Sequence, residues 1–226
     1  MAQIPSSKMI YLVRHAQGVH NLKYKNHNMR DPLLTPKGEK QCEDLGAMMQ
    51  DQQAVIQLLV ASPLRRALYT ALHSFSDVLF RGLRVVALPE AQEIGASGKP
   101  CDVGLDPTQL KQEFKNDPVD LDLVQDGWNV KTGRFSANKQ MVQERALFVR
   151  RWLRDRDENI ICLVGHGGFM HELTQDMEGS QRSKGTDWDN CEWRTYTFQD
   201  SSGSDDNATL IETANSRLRR SGFLKA

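Results

Sequence analysis

The sequence predicts an α/β fold built on a buried, mostly parallel sheet, and three observations carry that reading. Four short apolar runs, at residues 9–13, 54–61, 83–88 and 159–165, are rich in β-branched residues and too short for helices, so they read as strands covered on both faces. Segments with helical apolar spacing lie between or after them, at 36–53, 64–72 and 141–156. Two alternating segments near the end, 192–198 and 208–212, are joined by a polar stretch and read as an antiparallel hairpin. With 226 residues the chain is long enough for one α/β domain with a large core or for two small ones, and no linker favours two; a single domain over 1–226 is expected.

Charge narrows the partners. Lys and Arg total 29 against 29 Asp and Glu, so the formal net charge is zero, whereas a nucleic-acid or anionic-membrane binder usually shows a basic excess. No nucleic acid and no membrane is expected as a partner, and any anion must be recognised by local convergence of cations. Residues 1–8 contain no apolar signal core and no run approaches a membrane span, which points to a soluble, unsecreted, cytoplasmic protein. Cys42, Cys101, Cys162 and Cys191 show no CxxC spacing and are read as reduced thiols, with Cys162 inside a core strand. No set of residues has metal-ligand spacing, so neither metal nor cofactor is expected.

Taken in order, the first strand ends abruptly on Arg14-His15, followed by Gly18. Neighbours on a strand face opposite ways, so both side chains serve one ligand only if the backbone turns there. Residues 22–30 are polar and read as an exposed loop. Thr35 then stands as N-cap with Pro36 in the first turn of a helix carrying Cys42, Leu45, Met48 and Met49 at helical spacing. The second strand ends on Ser62-Pro63 and delivers Arg65 and Arg66 into a helix start, where cations oppose the macrodipole unless something anionic binds. After the third strand, 94–139 is broken by glycines and prolines and reads as an insertion of loops and short helices, one at about 107–116. The fourth strand ends on His166-Gly167-Gly168 with a helix at 169–177 behind it. The basic tail from Arg217 is expected to fray.

Three buried strands that each stop on a cation or an imidazole make convergence on one anion the simplest reading, and phosphate fits guanidinium and imidazole best. Leu12-Val13-Arg14-His15-Ala16 with Asn21, Ala61-Ser62-Pro63-Leu64-Arg65-Arg66-Ala67-Leu68-Tyr69-Thr70, and Gly165-His166-Gly167-Gly168 together resemble the three signatures of the histidine phosphatase superfamily, the phosphoglycerate-mutase-like branch 1.

That resemblance implies a three-layer α/β/α sandwich, with a mostly parallel sheet and an antiparallel edge hairpin, and a phosphohistidine mechanism. It makes His15 the nucleophile, places Arg14, Arg66 and His166 in the phosphate pocket, adds Asn21 as an auxiliary phosphate contact, and leaves Arg65 as a solvated neighbour. It also implies an acidic proton donor after the third strand. Glu90 and Glu93 are both available, and Glu93 aligns better through Cys101-Asp102-Val103-Gly104. A neutral imidazole needs no separate base when its other nitrogen donates to a carbonyl.

His20 and His27 are read as solvated loop residues, and His73 and His171 as packing or surface positions. The implied activity is metal-independent hydrolysis of a phosphomonoester of a small metabolite, with the leaving-group pocket built by the insertion at about 94–140 and by the 22–30 loop. A phosphoglycerate mutase is the enzymatic rival; it lacks support because 22–34 has no Trp. A phospholigand-binding module without turnover is the non-enzymatic rival, and the retention of both histidines and both arginines argues against it. Neither substrate identity nor oligomeric state is encoded in a readable pattern.

Overall fold

The computed structural model describes residues 8–95, 98–178, 182–183, 187–200 and 204–220. In chain order the elements are β1 (Met9–Arg14), α1 (Pro36–Met48), α2 (Gln50–Gln53), β2 (Leu58–Ala61), α3 (Arg65–Ser74), α4 (Ser76–Phe80), β3 (Val85–Ala87), α5 (Pro107–Glu113), β4 (Val119–Asp120), α6 (Lys139–Arg154), β5 (Ile160–Gly165), α7 (Gly167–Thr174), β6 (Met177–Glu178), β7 (Arg182–Ser183), β8 (Trp193–Phe198), β9 (Leu210–Glu212) and α8 (Ala214–Arg220). The main sheet runs β4-β3-β2-β5-β1-β8-β9. Its first five strands are parallel, and β8 and β9 close the edge antiparallel.

The period-2 pleat of the central strands divides the core into two layers. Tyr11, Val13, Leu59, Ala61, Cys162 and Val164 face a cluster shared with α1, α3, α4 and α5. Ile10, Leu12, Leu58, Val60, Ile161 and Leu163 face a second cluster shared with α6 and α7. This is the three-layer sandwich, and it buries β1, β2 and β5 on both sides. Each fully buried Leu, Ile or Val contributes about 1.5–3 kcal/mol of transfer free energy. Parallel strands with helical crossovers bring the carboxyl ends of β1, β2, β3 and β5 to one edge of the sheet, where Arg14, Ser62, Pro89 and His166 lie. Among the described residues no helix is long and apolar enough to cross a membrane.

Several expected boundaries move. The second strand starts at Leu58 because Gln57 turns its side chain back to accept from the N–H groups of Asn159 and Ile160. The 36–53 helix breaks at Met49, whose φ and ψ of −102° and 15° leave the helical range. The two-residue β4, paired with Val85 and Val86, lies inside the insertion and is too short to leave a periodic signal. Arg217–Arg220 do not fray: they belong to α8, where Arg220 pairs with Glu212 and the Arg219 guanidinium stacks 3.3 Å from the Trp193 ring centre. The rest of the tail, 221–226, lies outside the described residues.

The start of α1 is pressed against the loop that follows β1. Thr35 caps the helix, its Oγ1 accepting from the Gly38 N–H, and the Thr35 N–H donates to the Gln17 carbonyl. Gly38 is required here by space: a Cβ on it would stand 2.2 Å from the Gln17 carbonyl oxygen. Backbone of this loop cannot give way without moving His15, two residues earlier. Gly38→Ala is therefore expected to lower stability by about 1–3 kcal/mol, as overpacked substitutions do. Urea unfolding of the two proteins measures it; an unchanged midpoint would show that the 15–18 loop yields freely.

Candidate active site

β1 delivers Arg14 at its last position and His15 just beyond, where the backbone has left the sheet. His15 Nδ1 lies 2.7 Å from the carbonyl oxygen of Ala16, and its Nε2 lies 3.3 Å from Arg66 Nε. Because Arg66 Nε–H can only donate, the pair of contacts assigns the proton to Nδ1 and to Nε2 the lone pair that accepts from Arg66. The Asn190 side chain holds the His15 carbonyl, and Thr70 Oγ1 accepts from the Ala16 N–H. His15 is buried, and its pKa lies well below the usual 6.5: burial is the largest cause, followed by the charges of Arg66 and Arg14 with neighbouring His20.

Arg66, 1% exposed, sits in the first turn of α3. Its Nη1 donates to the Cys101 carbonyl at 2.7 Å and its Nη2 to Asp102 at 2.9 Å. Arg65, one residue earlier, turns away, but it is not solvated: it donates to the Asp31 carbonyl and meets the Glu113 carboxylate. Asp31 in turn accepts from the N–H groups of Arg65 and Leu105, tying the loop after β1, the start of α3 and the insertion into one knot. Burial raises its pKa to about 6.

His166 closes the far side, its ring centre 5.1 Å from that of His15. Its Nε2 lies 2.8 Å from Ser62 Oγ, while its buried Nδ1 has no protein partner. Ser62 therefore orients His166 and accepts from the Leu64 N–H, and Leu64 is the residue before α3. Burial, then Arg66, lowers the His166 pKa well below its usual value. Arg14 donates through Nη1 to the Trp188 carbonyl, and its buried Nε is unpartnered.

The two acidic candidates separate cleanly. Glu93 reaches the start of α7, accepting from the N–H groups of Gly168 and Phe169 at 3.2 and 2.9 Å and from that of Ile94. This puts its carboxylate at the turn that carries His166. Glu90 is buried and pairs with Arg134 in the insertion, so its charge is committed there. Asn21 is exposed, and its Oδ1 accepts from the Gly18 N–H, so only its Nδ2 is left for a ligand.

The residue that approaches His15 from this loop is His20, with ring centres 5.5 Å apart. It is buried rather than solvated, and it is held at a pKa of about 2 by burial and then by Arg66. Its ring packs onto Gly18, where a Cβ would meet Nδ1 at 2.7 Å. Gly18 itself is extended, with φ −92° and ψ 162°, so close approach and not an unusual backbone turn calls for glycine. His27 packs behind His20 with its ring tilted by 46° and its Nδ1 buried, and is likewise no solvated loop residue.

Lys131 and Arg145 were not singled out by sequence reasoning. Lys131 Nζ donates to the Gln92 side chain and the Glu93 carbonyl, and burial, then Arg145, pushes its pKa to about 8. Arg145 donates to the Gln92 carbonyl and covers the Phe169 ring. Both brace the segment that carries Glu93.

A buried imidazole with its Nε2 unprotonated, facing two guanidinium groups and a second imidazole, defines a phosphate-handling site of the histidine phosphatase type. The family model for the histidine phosphatase superfamily, branch 1, matches residues 10–205, and the chain belongs to that family. It is 27% identical to phosphoglycerate mutase-like protein 1 of Arabidopsis thaliana, with 89% of this chain and 86% of that protein covered. It is also 27% identical to a probable phosphatase of Schizosaccharomyces pombe, over 74% of this chain and 77% of the relative. Among solved structures, the tungstate complex of the Bombix mori ecdysone phosphate phosphatase superposes with a TM-score of 0.59 at 17% identity, covering 92% of each chain.

The pKa shifts have a consequence for stability. His15, His20 and His166 are each lowered on folding, so below the unfolded value of about 6.5 the unfolded chain binds more protons and stability falls with pH. Asp31, raised to about 6, acts oppositely between about pH 4 and 6, one group against three. At about 1.4 kcal/mol per pH unit for each group, the unfolding free energy is expected to drop by about 2–3 kcal/mol per unit near pH 5. Urea melts at pH 7, 6 and 5 test this; a flat profile would contradict the neutral-histidine pocket.

Proposed function

We propose that this protein is a phosphomonoesterase acting on a small phosphorylated metabolite in the cytoplasm, through a phosphohistidine formed on His15. The observation that carries the reading is the His15 Nε2 lone pair, fixed by the Ala16 carbonyl and set 3.3 Å from the Arg66 guanidinium. Family membership and the phosphatases among its relatives and structural neighbours support it.

In this mechanism Nε2 attacks phosphorus in line, and Arg66 transfers its Nε–H from the imidazole to a phosphoryl oxygen. Arg14 supplies its unpartnered Nε–H. With Ser62 O–H donating to His166 Nε2, the His166 Nδ1–H is left for a third oxygen. The positive wall does for the equatorial oxygens what Mg²⁺ does in kinases. Glu93 gives a proton to the departing alkoxide, then takes one from the water that attacks the phosphohistidine. Its place at the turn of His166, against the commitment of Glu90 to Arg134, supports it as the acid. Asn21 Nδ2 is the outer contact still available to a bound phosphate.

Phosphate release from a panel of phosphorylated metabolites, measured in excess chelator, is the direct test. Turnover is expected to survive chelation. Removing one preorganised donor to a transferring group costs roughly 10²–10³ in rate, so Arg66→Ala is expected to lose that much on every substrate while Arg65→Ala is spared this uniform loss. Glu93→Gln is expected to slow phosphoenzyme formation from alkyl phosphates by roughly 10²–10⁴ and to spare an activated aryl phosphate. The same leaving-group dependence in Glu90→Gln would reverse the assignment, and activity only with added Mg²⁺ would overturn the mechanism.

A further inference from the structure

Of the three imidazoles buried in the pocket, His15 is set by the Ala16 carbonyl and His166 by Ser62, whereas His20 has no hydrogen-bond partner among the described residues. Its backbone is nonetheless tied down. His20 stands in the single turn Val19–Asn21, and Gly18 at the entry pairs with Leu34 in an antiparallel bridge. The Gly18 N–H donates to Asn21 Oδ1 at 3.0 Å, and the Asn26 side chain donates to the Val19 carbonyl at 2.8 Å. His27 packs against the His20 ring, with centres 6.2 Å apart.

This loop also assigns the His20 proton. Nδ1 is buried against Gly18, where a Cβ would stand 2.7 Å away, so the glycine's own Cα–H fills the space in front of that nitrogen. A lone pair accepts such a contact, and an N–H would collide with it. Burial, then the charges of Arg66, His27 and Arg14, keeps the ring neutral, with a pKa of about 2, and a neutral imidazole carries one N–H. Nε2 is therefore the donor, and it is neither bonded nor closed off.

The neighbours of His20 are those of a bound phosphoryl group. Its ring centre lies 5.5 Å from that of His15, and it is close enough to contribute to the lowered pKa of both His15 and His166. Asn21, next in the chain, is exposed and has committed its Oδ1 to Gly18. A ring that merely filled this space would leave a donor unmet, at a cost an apolar side chain avoids; an anionic oxygen meets it.

We infer that His20 is a fourth ligand of the transferring phosphoryl group, its Nε2–H donating to a non-bridging oxygen inside the outer contact of Asn21. The inference rests on the phosphatase reading and adds to it a residue of this chain's own pocket. A neutral donor strengthens as charge builds on the oxygen, and it places no third cation beside the imidazolium that His15 becomes on phosphorylation.

Two variants separate donation from packing: His20→Phe fills the space without a donor, and His20→Gln supplies an amide N–H. A hydrogen bond to a charged group is worth about ten- to a hundred-fold. His20→Phe is expected to slow phosphoenzyme formation by that factor for n-propyl and phenyl phosphate alike and to weaken orthovanadate binding, and His20→Gln to recover most of both. With urea midpoints unchanged, wild-type rates in His20→Phe, or a His20→Gln no better than His20→Phe, would overturn the inference. NMR of the wild-type protein labelled with ¹⁵N-histidine decides the matter even where a variant does not fold. The expected spectrum has the His20 proton on Nε2, with its signal moving downfield when inorganic phosphate is added. A proton on Nδ1, or His20 signals that stay fixed while those of His15 and His166 move, would overturn the inference with the phosphatase reading intact. No response from any histidine, together with no hydrolysis of either ester, would overturn that reading, and this one with it.

Discussion

The Arg66 guanidinium is the constraint on which the site depends. A buried cation is tolerated only when its donors are met, and here Asp102, the Cys101 carbonyl and the His15 lone pair meet them. Those three contacts join three parts of the chain: the end of β1, the start of α3 and the insertion. The same charge contributes to the lowering of His15, His20, His166 and Lys131, so one side chain helps set the protonation of most of the pocket. It also decides which nitrogen of His15 is free to react, since a guanidinium can only donate.

A pocket of this kind is costly to fold. The Arg14 Nε, His20 Nδ1 and His166 Nδ1 atoms are buried without a protein partner, and each such group costs about 1–3 kcal/mol. The two-sided core under the central strands offsets this, which is why the reactive groups sit at the strand ends and not within them. Unpartnered donors such as the Arg14 Nε–H and the His166 Nδ1–H suit a transferring phosphoryl group, because neither has to be pulled from another bond as charge develops, whereas the Arg66 Nε–H has to leave the imidazole.

The sequence was legible where chemistry was local. Arg14, His15, Arg66 and His166 each follow an apolar strand, so their places at one sheet edge could be read from run length and order, and the sandwich follows from the same runs. Asp102 and Cys101 were visible only as an alignment aid; that they hold Arg66 depends on an insertion folding back 35 residues later. His20 looked solvated because its neighbours are polar, yet the Gly18 approach buries it against His15. Arg65 looked spare because its partners, Asp31 and Glu113, lie 34 and 48 residues away. Lys131 has no sequence signal, since a lysine in a Gly- and Pro-broken stretch is usually exposed. Long-range burial is what short-range pattern does not carry.

The most direct test of the account is the identity of the phosphorylated atom. Brief mixing with a substrate that is hydrolysed, an alkaline quench, and analysis of the modified peptide by mass spectrometry and ³¹P NMR would locate the phosphoryl group. The expected result is an acid-labile phosphate on His15 at Nε2, the nitrogen opposite the Ala16 carbonyl, and none in His15→Ala. Phosphate on His15 Nδ1, phosphate on His166, or undiminished turnover in His15→Ala would contradict the account.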